Sequence, residues 1–179
     1  VTTVFNFYGG PGTGKSTSAA FVFYLLKAAS LDAELVREYA KNWAWEKRNI
    51  SLYDQYYLLG KQIRHEAMLY KKVDYVVTDS PVLLNVYYAQ AFTPRVTSEG
   101  IRAAVLSYYE QAERDGHRHV HVMLTRSKPY NPAGRYQSEA EARAIDSHLR
   151  TILTQLGLGY TECPTTEEGL RALVGQVAP

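Results

Sequence analysis

Along this chain, short runs of apolar and β-branched residues alternate with longer stretches in which apolar positions recur at helical spacing. "TTVFNFY" at 2–8 reads as a first strand and "KSTSAAFVFYLLKAA" at 15–29 as the helix after it. "AELVR" (33–37) is a short second strand. From about Tyr39 to Lys72 the pattern is helical, broken near "RNIS", where Ser51 is a candidate N-cap. "DYVVTD" (74–79) reads as a buried third strand. A helix over 98–116 is expected next, with Ser98 as its cap and Gly116 as its stop. "HVHVMLT" (119–125) is a fourth strand, and 126–137, interrupted by two prolines and a glycine, is expected to be irregular. Ser138, with Glu141 three residues on, forms a capping box for a helix over 138–157. "GYTECP" (159–164) and "TEEGLRALVGQV" supply a fifth strand and a closing helix. This alternation predicts an α/β fold, a parallel sheet covered on both faces. No linker or repeat divides residues 1–179, so a single domain is expected.

Composition narrows the picture only at its edges. A length of 179 residues suits one α/β domain, and a net charge of +2 alone makes no strong case for nucleic acid. The single cysteine, Cys163, excludes an intrachain disulfide and a cysteine-rich zinc site, and it fits the reducing cytoplasm expected as the location. No apolar run approaches the ~18 residues of a membrane span, and no basic region precedes the N-terminal apolar stretch, which therefore reads as a strand. Tyrosines cluster at Tyr53, Tyr56 and Tyr57, at Tyr87 and Tyr88, and at Tyr108 and Tyr109. They read as packed helix faces with polar tips left wet, or as a base-stacking surface. His117, His119 and His121 share one side of an extended segment; with no acidic or cysteine neighbour in sequence, they read as a strand-edge face rather than a zinc site.

The octet "GGPGTGKS" at 9–16 changes the picture. Gly9, Gly14, Lys15 and Ser16 satisfy the pattern G-x-x-x-x-G-K-S/T between a strand and a helix, which is the context its chemistry needs. Glycines let successive amides curl around an anion, and the following helix adds the positive end of its dipole. Gly10, Gly12, Thr13, Gly14, Lys15, Ser16 and Thr17 are the candidate ATP-binding residues, with Lys15 between the β- and γ-phosphates and Ser16 on Mg²⁺. Asp79, at the tip of the third strand, is a second candidate for Mg²⁺, or a cap for the segment from Pro81.

Other residues suggest a phosphate acceptor. Glu38 follows the second strand, where ligands gather in such sheets, and could take a proton from an attacking hydroxyl or hold a sugar hydroxyl. Arg37 beside it could meet an acceptor phosphate or equally form an exposed ion pair. Gln55 and Gln62 share a helix face and offer the paired donor and acceptor that a nucleobase edge requires. Trp43, Trp45, Tyr53 and Tyr57 are candidate stacking partners or core residues. The segment "RSKPYNPAGR" places Arg126, Lys128 and Arg135 in a basic lid, with Arg143 beyond it; Arg126 and Arg135 are the preferred pair to neutralise a transferring phosphoryl group.

The ordered set "GGPGTGKS", "VREYAK", "VVTDSP" and "RSKPYNPAGRYQSEAEARAID" resembles phage and bacterial P-loop proteins labelled AAA-type ATPases, themselves similar to small nucleoside and nucleotide kinases. The nicotinamide riboside kinase domain is a more distant look-alike. The resemblance spans essentially the whole chain. It implies a P-loop kinase fold with a five-stranded parallel sheet ordered 2-3-1-4-5, flanked by helices, and a lid after strand four. It also implies that Glu38 matches the acceptor-side carboxylate, Asp79 the Walker B aspartate, Arg126 and Arg135 the lid arginines, and that "PTTEE" lies near the adenine. An adenylate-kinase pattern of AMP-binding arginines is not evident, so the acceptor stays open. Similar phage kinases phosphorylate 5-hydroxymethyluracil already incorporated in DNA. The expectation is therefore an ATP- and Mg²⁺-dependent transferase acting on a nucleoside, nucleotide or nucleotide-like acceptor, with a modified DNA base as an alternative acceptor. A regulatory nucleotide-binding switch or ATPase module is the reading from another class. Oligomeric state is not legible.

Overall fold

The computed structural model describes residues 1–39, 46, 51, 53–127, 129–130 and 138–178. Its elements run β1 (Thr3–Tyr8), α1 (Lys15–Ala28), β2 (Ala33–Val36), α2 (Asp54–Ala67), β3 (Tyr75–Thr78), α3 (Leu84–Phe92), α4 (Arg95–Arg114), β4 (Arg118–Thr125), α5 (Glu139–Gln155), β5 (Tyr160–Pro164) and α6 (Glu167–Val177). The strands form one parallel sheet ordered β2-β3-β1-β4-β5, the order implied by the resemblance.

Alternation along the strands decides which helices cover which face. Phe5 and Phe7 of β1, with Val122 and Leu124 of β4, pack in one core with Ala19, Val22 and Leu26 of α1 and Leu170 and Leu173 of α6. Tyr8 and Met123 face the other core, built from Leu59 of α2, Val86 of α3, Ile101 and Val105 of α4, and Leu149, Ile152 and Leu153 of α5. Register matters more for function. Val36 pairs with Thr78 and Thr78 with Asn6, so β2, β3 and β1 end close together in the same direction. Glu38, Asp79, the Gly9–Ser16 loop and Arg126 all leave the sheet at these carboxyl ends, where α/β sheets gather ligands.

The helix starts separate local signals from tertiary ones. Ser138 and Glu141 form the expected capping box: the Ser138 side chain accepts from the Glu141 amide, and the Glu141 carboxylate accepts from the Ser138 amide. Ser98 does not cap its helix. α4 starts earlier, after Pro94, whose fixed φ suits a helix entrance, and Ser98 instead donates to the Arg95 carbonyl. Ser51 precedes α2 without being its cap residue; its amide and hydroxyl both bond the Asp54 carboxylate. Gly116 adopts φ 83° just past α4, as its stop requires. Leu84–Phe92, which sequence periodicity did not mark as a separate helix, becomes α3.

The histidine strip also differs from expectation. β4 lies between β1 and β5, so it is not an edge, and an acidic partner arrives from another element. Glu66 of α2 is wholly buried and accepts hydrogen bonds from the hydroxyls of Tyr108 (2.5 Å) and Tyr70 (3.2 Å). Tyr70 and Tyr108 are themselves bonded, and the Tyr70 hydroxyl lies 3.0 Å from His119 Nε2. His121 Nδ1 bonds the Tyr8 hydroxyl at 2.8 Å. The His119–Glu66 separation of 3.9 Å would admit an ion pair, but burial penalises both charges and the carboxylate is served by neutral phenols. Burial raises the Glu66 carboxyl to about 7 and lowers His119 to about 3 and His121 to about 4. The cluster is therefore a hydrogen-bonded core in which burial favours the uncharged forms, and no metal-binding group of acidic, histidine and cysteine residues occurs among the described residues. Nor is any helix among them long and apolar enough to cross a membrane.

Candidate functional site

The loop after β1 is shaped by glycines and by the side chains that grip its carbonyls. Gly12 (φ 74°) and Gly14 (φ 99°) occupy the left-handed region, and Gly14 opens α1 without a side-chain cap. Uncapped first-turn amides at a helix start form a natural anion site. Lys15 Nζ donates to the Gly9 carbonyl at 2.6 Å, and buried Thr13 donates from Oγ1 to the Gly10 carbonyl at 2.6 Å. Burial lowers the Lys15 pKa. The carboxylates of Glu38, Asp79 and Asp146 oppose that shift, whereas Arg126 reinforces it. The charges around this ammonium are thus the three acids and one arginine at the strand ends and on α5.

Asp79 is buried, and its Oδ1 has no hydrogen-bond partner among the described residues. It does not cap α3, which starts at Leu84 with Leu83 in the cap position. A buried, unpartnered carboxylate oxygen beside a phosphate-type loop fits a divalent cation, with exposed Ser16 as the hydroxyl partner. The donor set consists of oxygens alone, as Mg²⁺ prefers. Thr17 is likewise exposed in the first turn of α1.

Two clefts flank the loop. One, of about 100 Å³, is lined by Gly9, Gly10, Pro11 and Lys15 together with Leu84, Tyr87, Tyr88 and Phe92 of α3 and Ile145 and Leu149 of α5. The other, of about 250 Å³, joins Gly12, Thr13, Gly14, Thr17, Ser18 and Phe21 to Arg126, Ser127, Thr165 and Glu167. Thr165 of the "PTTEE" segment therefore lies at the second cleft, and Ser127 bonds it at 2.6 Å. Glu38 is half-buried, and its charge acts on Lys15 and on Tyr88, whose hydroxyl pKa is raised by burial first and then by Glu38.

Some residues chosen from sequence are brought together and others are not. Lys15, Glu38, Asp79 and Arg126 converge electrostatically on the loop. Gln55 and Gln62 are both buried on α2 rather than exposed, yet neither lines the cleft at Lys15; Gln62 Oε1 accepts from the Tyr39 amide at 3.4 Å. Arg37 is exposed, and Tyr53 is 87% exposed. Arg135, Lys128, Trp43 and Trp45 lie outside the described residues. Sequence reasoning missed Asp146, whose carboxylate meets both the Gly10 amide and the Arg126 guanidinium. It also noted Tyr87 and Tyr88 only as a tyrosine pair, without placing them beside Lys15.

A sequence-family model for the AAA domain matches residues 4–169. Two solved structures share the fold. A NadR protein in complex with NR superposes with a TM-score of 0.72 at 16% identity, covering 97% of this chain and 51% of that one. A NadR protein in complex with NAD and AMP-PNP gives a TM-score of 0.69 at 15% identity, covering 97% and 49%. This chain thus spans about half the length of those NadR chains. Comparison with curated protein sequences gives no match. With the motif, the sheet order and the family match in agreement, the chain belongs to the AAA domain family of P-loop NTPases.

Proposed function

We propose that the protein is an ATP- and Mg²⁺-dependent phosphotransferase that moves the γ-phosphoryl group to a hydroxyl or phosphate of a nucleoside, nucleotide or nucleotide-like acceptor. The observation that carries this reading is the aromatic-walled cleft at Lys15, separate from the Thr165 cleft. Lys15, Tyr87, Tyr88 and Phe92 line this space, and Glu38 acts on both Lys15 and Tyr88. A switch needs one nucleotide pocket, whereas a kinase needs a donor pocket and a ring-sized acceptor pocket that meet at the phosphate loop. The NadR chains, solved with NR and with NAD and AMP-PNP, support a ring-bearing acceptor by analogy of fold.

In this reading the amides of Gly12, Gly14, Ser16 and Thr17, with Lys15, hold the ATP phosphates, while Gly10 and Thr13, whose amides bond Asp146 and the Gly10 carbonyl, shape the loop around them. Ser16 and Asp79 would hold Mg²⁺, which when bound would supply charge neutralisation to the phosphates. An acceptor hydroxyl oxygen attacks the γ-phosphorus as the bond to the β-phosphate oxygen breaks, and ADP leaves. Glu38 takes the hydroxyl proton and returns it to solvent. Arg135 is the proposed cation on the moving phosphoryl, and Arg126, its charge matched by Asp146, holds the flank of the loop. Arg37, Gln55 and Gln62 belong to the acceptor side, with Gln62 acting through the backbone after Glu38.

A base within DNA, 5-hydroxymethyluracil among them, is the second acceptor reading. It is favoured by the open wall of the acceptor cleft, where Phe92 is 71% and Tyr88 40% exposed, leaving room for a base attached to a larger molecule. The test is incubation with γ-labelled ATP, Mg²⁺ and a panel of nucleosides, nucleoside monophosphates, and plain or hydroxymethyluracil-containing DNA. Label in an acceptor supports the reading and names the class. Hydrolysis that no acceptor captures, raised by a protein partner, would establish the switch instead.

A further inference from the structure

We infer that Asp146 and Arg126 form one neutral strut that sets the shape of the phosphate loop, with Asp146 as a positioning residue outside the loop motif. The inference requires only that the loop bind a polyphosphate, whether or not transfer follows.

A buried carboxylate is out of place here. Asp146 is 7% exposed, and its Oδ1 accepts from the Gly10 amide at 2.5 Å and lies 3.5 Å from Thr13 Oγ1. Standing alone, such a charge would repel the anion the loop is built to hold. Arg126 cancels it: Nε donates to Asp146 Oδ2 at 2.8 Å, with side chains 7% and 10% exposed. The guanidinium then reaches the loop itself, donating from Nη1 to the Pro11 carbonyl at 2.9 Å, and from Nη2 to the Ala142 carbonyl at 3.4 Å.

The outcome is a fully gripped loop entrance. The carbonyls of Gly9, Gly10 and Pro11 are taken by Lys15, Thr13 and Arg126, and the Gly10 amide by Asp146. The backbone of α5 abuts the loop so closely that a Cβ on Gly10 would stand 2.5 Å from the Ala142 carbonyl oxygen. Arg126 begins the segment after β4 and Asp146 lies on the helix after that segment, so both of its ends grip the loop. Charge neutrality makes this acceptable beside a polyanion, and the hydrogen bonds fix the peptide planes.

The test measures ATP and pyrophosphate affinity by isothermal titration calorimetry, with thermal unfolding of each variant. Arg126→Met, which strands the Asp146 charge, is expected to weaken both ligands at least about tenfold. Asp146→Ala, which strands the Gly10 amide, weakens them as well, while Asp146→Asn keeps an acceptor for that amide and stays within about fivefold of wild type. Adding Asp146→Asn to Arg126→Met should restore most of the lost affinity, because the repelling charge is gone. If Arg126→Met does not fold, Arg126→Lys takes its place; its ammonium keeps the charge but cannot span Asp146 and the Pro11 carbonyl as the guanidinium does, so both ligands are expected to weaken by about three- to tenfold. A double variant as weak as Arg126→Met shows that Arg126 touches the phosphate itself, and overturns the strut. So do an Asp146→Asn as damaging as Asp146→Ala, or an Arg126→Lys or Arg126→Met with wild-type affinity.

Discussion

Replacing Glu66 with glutamine tests the neutral core beneath the site. The carboxyl is wholly buried, takes two phenol hydrogen bonds on Oε1, and has its pKa raised from 4.5 to about 7 by burial. A folded-state pKa above the unfolded value contributes stability that is fully present below the unfolded pKa and lost as pH rises through the folded one. At ~1.4 kcal/mol per pKa unit, a shift from 4.5 to about 7 amounts to ~3 kcal/mol lost between pH 4.5 and pH values above 7. Glutamine keeps an acceptor for both phenols and does not titrate. His119 and His121, lowered to about 3 and 4, contribute the opposite slope: their stability is present above pH 6.5 and is lost as pH falls through the folded values. Their slope is common to both proteins and cancels in the difference. Urea unfolding followed by aromatic fluorescence from about pH 5 to 8.5 should therefore show Glu66→Gln gaining on wild type as pH rises, by ~2–3 kcal/mol in total. A difference that stays flat, or a variant that falls further behind at high pH, would show an ionised Glu66 paired with His119 across 3.9 Å, and would refute the neutral-core reasoning.

Four further outcomes follow from the geometry of the loop, of Asp79 and of α2 and α5. Gly10→Ala puts a Cβ 2.5 Å from the Ala142 carbonyl oxygen, so ~1–3 kcal/mol of stability and much of the ATP affinity should be lost. Gly60→Ala in α2, with nothing within 4 Å, should instead stabilise by ~0.5–1 kcal/mol; thermal melts of the two variants check the contrast. Asp79→Asn should leave metal-free ATP binding nearly unchanged yet shrink the affinity gained on adding Mg²⁺; calorimetry with and without Mg²⁺ reads this, and an intact gain removes Asp79 from the metal site. Ser138→Ala should cost ~1 kcal/mol by opening the capping box of α5, measurable in urea unfolding.

Local chemistry in the sequence was read well. The β-branched run before Asp79, the Ser138–Glu141 box and the glycine loop each carry their structural cause within a few residues. The strand order was legible only through resemblance, since periodicity names strands without saying which ones pair. What stayed hidden depends on contacts between distant parts of the chain. Asp146 meets Gly10 across 136 residues, so nothing near it on α5 marks it as part of a phosphate loop. Glu66 approaches His119 from α2, which is why the histidine strip looked as though it had no acidic partner. Tyr87, Tyr88 and Phe92 became a cleft wall because α3 packs beside the loop, an arrangement that tyrosine spacing cannot encode. Helix starts failed for a simpler reason: Ser98 satisfies a capping preference, but Pro94 offers an earlier entrance.

Partition of labelled γ-phosphate between acceptor and water, compared in wild type and Glu38→Gln, tests the central claim most directly. The charge of Glu38 acts both on Lys15 of the phosphate loop and on Tyr88 of the proposed acceptor wall. The account predicts acceptor-dependent labelling by the wild type, and a ~10²–10⁴-fold loss of transfer in the variant with ATP affinity retained. Transfer at the wild-type rate by Glu38→Gln, or label that reaches water alone whichever acceptor is present, would contradict it.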